Sequence, residues 1–253
     1  VFKRKRAKKI VGDAWNVYTC RYGEGQVGVI SFDDEVSREE KHMGFDTCIR
    51  VVVYIPPDDR VLDNGLPVRE ELPNLDRLED TLVSALEKQR VDCRFVGRMT
   101  YGGMREFVFQ VEDKQGFRDT VEKMIQDVKD YRIELEESEG WQFFDEKIKP
   151  SSVYRQQIAD MQVIRQLIKA GSNPQAPHMI EHVICGDPGK LAKLRDELVT
   201  SGFKDFGLEG DRLVVGKEST LEINEIFSVT GKMAGYCASI GLEYDGWGTN
   251  VVS

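Results

Sequence analysis

PHMIEHVICGDPGK, residues 177–190, carries overlapping patterns that imply different folds and different chemistries. His178, Glu181 and His182 stand in the H-x-x-E-H spacing of inverted zinc hydrolases, and GDPGK looks like part of a phosphate-binding loop. The zinc reading needs a helix, where residues four apart stack on one face. On a strand the two histidines stand roughly 13 Å apart at about 3.3 Å of rise per residue. Two nitrogens that must each lie about 2.1 Å from one zinc cannot span that gap. Pro177 bars a helix from running into the segment, VIC favours a strand, and Asp187 and Pro188 supply the N-cap and first turn of a separate helix, GKLAKLRDELVTSG. The segment is therefore predicted to be a strand followed by a helix. The phosphate loop fails too, because it would need Gly where Ile184 stands and Ser or Thr where Leu191 stands. Of the three histidines in the chain, the remaining one, His42, sits in an acidic loop. No metal and no cofactor is expected.

Working outward, residues 152–170 show helical spacing through Ile158, Met161, Ile164 and Ile168, closed by Gly171 and SNPQAP. FKDFGLEGDRLVVGKE reads as a hairpin turning near Glu209 and Gly210. Ser219 and Glu222 fit an S-x-x-E capping box for a helix through Ile226, Met233 and Cys237, and LEYDGWGTNVV is the final strand. The first half has the same grammar. TCIRVVVYIP is a buried strand, Leu75, Leu78, Leu82, Val83 and Leu86 mark a helix over 72–90, and a Gly102-Gly103 turn joins two strands. A second helix over about 115–130 carries Phe117, Val121, Met124, Ile125 and Val128, and YRIELEES closes the unit.

Each half thus reads strand-helix-strand-strand-helix-strand, the ferredoxin-like order. The expected fold class is α+β, with two ferredoxin-like (βαββαβ) domains, residues 10–150 and 151–253, and an extra N-terminal hairpin around GEGQ. LDRLEDTLVSAL parallels LAKLRDELVTSG, and ELEESEGW parallels GLEYDGW, which raises internal duplication as a reading beside chance likeness of amphipathic helices.

With 253 residues, two domains of ordinary size are the prior. There is no apolar run near the roughly 20 residues of a membrane helix and no signal-peptide core. The first residue is Val1 rather than Met, which leaves open a leader removed before it. The five cysteines are scattered without a C-x-x-C pair, so reduced, packing thiols and a cytoplasmic setting are expected. A net charge of −9 argues against a nucleic-acid binder. The exception is VFKRKRAKK, with six Lys and Arg in nine residues, read as a solvated tail or as a contact for an anionic membrane surface or RNA. Residues 10–150 balance at −12 and residues 151–253 at −3.

In a ferredoxin-like sheet the first and last strands are antiparallel neighbours, which sets IEHVI beside EYDGWG. Glu181, His182, Glu243, Tyr244, Asp245 and Trp247 are then expected to gather on adjacent strands, as a polar recognition patch or as a turn and a packing Trp. A hydrolase built on paired carboxylates near Asp245 is the enzyme alternative; it needs one raised carboxyl pKa in a dry cleft. A third reading comes from Phe107 and Phe109, which alternate on one strand face as base-stacking residues do in single-stranded-RNA-binding sheets, or as core residues do beneath helices.

GLEYDGWGTNVV, with APHMIEH about 65 residues earlier, resembles the family of the regulator of ribonuclease E activity B, whose closing strand carries Gly-Gly-x-Tyr-Asp-Gly-Trp-Gly. Gly241, Tyr244, Asp245, Gly246, Trp247 and Gly248 match that pattern, and Leu242 departs from its second glycine. The resemblance covers roughly residues 151–253. Trp15, NGLPVREELPNLDRLEDTL, VGRMTYGGMREFVF and GWQFFDEKIKPS are similar to a bacterial domain of unknown function, DUF695, often fused to the second family. The resemblance implies a ferredoxin-like fold and a non-enzymatic regulator that binds a protein partner, a ribonuclease E-type endonuclease, and lowers or redirects its activity. It carries over no catalytic residue.

Overall fold

The computed structural model describes residues 10–38, 45–57 and 59–252. The basic stretch 1–9 and His42 lie outside the described residues. The chain divides between Lys149 and Pro150 into two compact units, each built of helices and one antiparallel sheet.

The first unit opens with the hairpin β1 (Trp15–Arg21) and β2 (Val27–Asp33) and a helical turn α1 (Asp34–Arg38). Then follow β3 (Thr47–Tyr54), α2 (Leu72–Gln89), β4 (Cys93–Tyr101), β5 (Met104–Val111), α3 (Lys114–Ile125) and β6 (Arg132–Glu139). The sheet order is β1-β2-β4-β5-β3-β6. The loop expected from DDEVSREEKHMG is in part helical. Asp33 is buried against Arg94 at 2.8 Å, and the Ser37 hydroxyl donates to the Asp34 carboxylate, which winds the chain into α1.

Leu75, Leu78, Leu82 and Leu86 of α2 are buried against Ile49, Val51 and Val53 of β3. The β4–β5 turn uses Gly102 and Gly103 at φ 52° and 74°, the two positive values that a two-residue hairpin turn demands. The other face of the sheet is covered by the chain after β6, where a wide helical turn, Phe144–Ile148, buries both its ends. Gly97 admits Ile148 there, since a Cβ on Gly97 would stand 2.6 Å from it. β3 buries Val51, Val52 and Val53 in succession, while Arg50, on the face away from α2, pairs with Glu106 at 2.9 Å and with Glu136. α3 ends at Ile125 rather than near Asp130, though Val128 still packs on the core.

Phe107 and Phe109 are fully buried beneath α2 and α3. Phe109 packs on Phe95 and Phe117, with ring centroids 4.8 and 5.1 Å apart. Neither face is open to a base, so the residues that suggested RNA stacking are core residues.

The second unit runs α4 (Ser152–Lys169), β7 (His178–Cys185), α5 (Pro188–Thr200), β8 (Lys204–Glu209), β9 (Arg212–Ser219), α6 (Ile223–Ser239) and β10 (Glu243–Gly248). Its sheet order is β10-β7-β9-β8. The decisive segment is strand then helix as the sequence predicted, and Asp187 caps α5 by accepting from the Lys190 N–H at 2.9 Å. The expected capping box does not form. Ser219 ends β9, the Glu222 side chain makes no capping bond, and Thr220 takes over, accepting from the Glu222 N–H and donating to Glu225. The α4 stripe is also rotated from the expected one. Ile168 is 47% exposed, whereas Asp160 is fully buried.

Candidate functional site

The strands that carry the predicted cluster do pair. Glu243 faces Cys185, Tyr244 faces Ile184, Gly246 faces Val183, Trp247 faces His182 and Gly248 faces Glu181, with a bulge at Asp245. Residues directly opposite on antiparallel strands share a face, so the bulge sorts the cluster in two. His182, Tyr244 and Trp247 point to the helices, whereas Glu181, Glu243 and Asp245 are exposed.

On the helix side the polar atoms are used for packing. The Tyr244 hydroxyl and His182 Nδ1 are 2.8 Å apart, and the His182 ring meets Phe203 edge-on. Burial lowers the His182 pKa to about 4 and lifts the Tyr244 phenol, so both are neutral around pH 7. Trp247 donates its indole N–H to Asp160 Oδ1 at 2.8 Å. Thr230 of α6 donates to Asp160 Oδ2 at 2.6 Å, and Gln156 donates to Oδ1 at 2.7 Å. Burial raises the Asp160 carboxyl pKa, opposed by these donors. Asp160 was not among the residues expected from sequence. The available signal was a carboxylate four residues before Ile164, on the apolar side of an amphipathic helix.

The first histidine of H-x-x-E-H is also structural. His178 is fully buried, with Nε2 2.9 Å from Ser172 Oγ and Nδ1 2.7 Å from the Ala176 carbonyl. Among the described residues, no group of three or more His, Cys, Asp or Glu is placed to hold a metal ion. His182 also borders a groove of about 410 Å³ between β9 and α6, lined by Ile180, Lys217, Asn224 and Ile226 among others.

The hydrolase alternative needs its carboxylates together in a dry cleft. Asp160 is enclosed and holds three donors, while Glu243 and Asp245 stand in the open. The arrangement leaves Glu181, Glu243 and Asp245 as three exposed carboxylates on β7 and β10, turned away from the enclosed Asp160.

Comparison with known proteins places both units. Residues 13–146, over half the chain, match the family of unknown function DUF695, and residues 157–249 match Regulator of ribonuclease activity B. A protein of that second name from Aeromonas hydrophila is 32% identical over 97 residues, covering 34% of this chain and 84% of the relative. One from Psychromonas ingrahamii is 28% identical over 106 residues, covering 38% and 86%, and one from Xenorhabdus nematophila is 32% identical over 97 residues, covering 34% and 69%. No solved structure matches the chain. The chain therefore belongs to the DUF695 family through its first unit and to the regulator of ribonuclease activity B family through its second.

Proposed function

We propose that this chain is a non-enzymatic binding protein whose C-terminal domain, residues 151–253, contacts a ribonuclease E-type endonuclease and lowers or redirects its cleavage of RNA. The observation that carries the reading is the match of residues 157–249 to relatives named regulators of ribonuclease activity. The geometry agrees with it. The motif residues His182, Tyr244 and Trp247 are spent on packing, which leaves Glu181, Glu243 and Asp245 as exposed contact residues on one unit. Such a surface is complementary to the basic, RNA-facing segments of a nuclease. The N-terminal domain, residues 10–150, is the second module of the same protein. A cytoplasmic setting belongs to the proposal and rests on five free thiols.

We read both sheets as ferredoxin-like and as copies of one duplicated unit. Supporting this, β3-α2-β4-β5-α3-β6 and β7-α5-β8-β9-α6-β10 follow one element order, and the strands β6-β3-β5-β4 and β10-β7-β9-β8 one spatial order.

The test is co-purification at low salt together with RNA cleavage by a ribonuclease E-type enzyme titrated with the intact chain. Binding with a dose-dependent change in rate is expected. A chain that brings down no nuclease and leaves its rate unchanged overturns the proposal.

A further inference from the structure

The three helices of the C-terminal unit share one face of its sheet. α5 and α6 close over Ile184, Leu213 and Val215, and α4 closes with α6 over Ile180 and Trp247. The opposite face carries none of these helices, and the strand registers define its relief. One row runs across all four strands as Gly246, Val183, Val214 and Gly207. Both edge positions are glycines, and a Cβ on either would meet nothing within 4 Å. The row is therefore a shallow apolar trough open at both ends.

The flanking rows are taller and chemically unequal. On one side stand Glu243, Cys185, Arg212 and Glu209, with Asp245 bulging beside them. Three carboxylates oppose one guanidinium there, and all four side chains are exposed. Their field is felt locally: the Cys185 thiol is pushed up by burial first and then by Asp245, Asp211 and Glu243. On the other side stand Gly248, Glu181, Gly216 and Lys204, so that row owes its height to Glu181, Lys204 and the ring that covers Gly216. There the bulged Phe206, 49% exposed, lies across Gly216, whose Cβ would fall 2.1 Å from the Phe206 ring.

The dimensions choose the occupant. Strands about 4.8 Å apart make the trough roughly 14 Å long, and rows two residues to either side stand about 13 Å apart. A single helix with side chains is about 10–12 Å wide.

We propose that this trough docks one amphipathic helix of a protein partner, with its apolar stripe on Val183 and Val214. Lys or Arg on one flank meets Glu209, Glu243 and Asp245, and an apolar side chain on the other flank meets Phe206. The inference rests on the regulator reading for the identity of the partner, but the geometry sets its chemistry. A second copy of this chain related by a twofold axis along the strands would set carboxylates against carboxylates.

The test uses the full chain and two synthetic amphipathic helical peptides with the same Leu stripe, one flanked by Lys and Arg, the other by Glu. Binding is read by fluorescence anisotropy and mapped by amide chemical shifts. The basic peptide is expected to bind with shifts on β7, β9 and β8, and the acidic one is expected not to. The doubly substituted Glu209→Lys, Glu243→Lys chain should weaken binding by about tenfold or more, as should Phe206→Ala. These positions are exposed, and unchanged circular dichroism and melting verify the fold. No binding of the basic peptide, equal binding by the variants, or shifts confined to the helix side overturns the inference. So does occupation of the face by single-stranded RNA or by a second copy. A parallel nuclease assay separates the two proposals: inhibition that survives in the variants sinks the trough and leaves the regulator, while peptide binding without any effect on the nuclease does the reverse.

Discussion

The indole N–H of Trp247 donates to the Asp160 carboxylate at 2.8 Å, tying the last strand of the chain to the helix that opens the second unit. Asp160 is fully buried, so each donor it holds offsets part of the cost of taking a carboxyl out of water. Trp247→Phe keeps most of the ring volume and removes the donor. It should destabilise the second unit by about 1–3 kcal/mol, read as a lower urea midpoint for that unit with the first unit unchanged.

Two buried groups should give the second unit opposite pH responses. Burial raises the Asp160 pKa above 3.8, so the folded state holds this proton more tightly than the unfolded chain. That contribution is complete below pH 3.8 and is lost as pH rises through the raised folded value. His182 runs the other way: its pKa falls from 6.5 to about 4, so the unfolded chain takes up a proton that the fold resists. Stability from this source is complete above pH 6.5 and falls by about 3 kcal/mol as pH drops to about 4. Urea unfolding of Asp160→Asn and His182→Gln across this range separates them. Asp160→Asn should remove the loss on raising pH, and His182→Gln should remove the loss on lowering it; parallel pH profiles for wild type and both variants would contradict the assignment.

Phe109 stacks on Phe95 and packs at a tilt against Phe117 in the core of the first unit. Phe109→Ala should cost about 3–5 kcal/mol in thermal or urea unfolding. A nearly neutral substitution would mean that the ring is not in the core.

Arg90 ends α2 at φ 57°, the one non-glycine residue with positive φ among the described residues. Glycine adopts this conformation without a Cβ penalty. Arg90→Gly should therefore stabilise the first unit by about 0.5–1 kcal/mol, measured as a raised urea midpoint.

Most elements were legible because their apolar spacing has one physical reading. The α2 leucines, the paired glycines at 102 and 103, and the Asp187-Pro188 helix start each satisfy a local requirement that tertiary context did not override. The division of the site was not legible. Strict alternation puts Tyr244 and Trp247 on opposite faces, and the bulge at Asp245 brings both to the helix side. Gly246 at φ 116° marks the bulge, but a glycine in a motif does not reveal its own dihedral. The partnership of Asp160 with Trp247 spans 87 residues and depends on how α4 rolls against α6, which helical spacing fixes only to within about one residue. The missing capping box has a similar cause: β9 extends through Ser219 and carries that residue out of cap geometry.

The most direct test of the account is the stoichiometry of the effect on a ribonuclease E-type endonuclease. RNA cleavage rate is measured at fixed nuclease while the intact chain is raised from a small fraction of its concentration to a large excess. A binding regulator predicts a rate that changes in proportion to the chain added and levels off near a fixed ratio of chain to nuclease, with activity restored when salt releases the complex. Loss of nuclease activity that keeps progressing with time at a small fraction of equivalence would identify an enzyme, and an unchanged rate at large excess would remove the nuclease as partner.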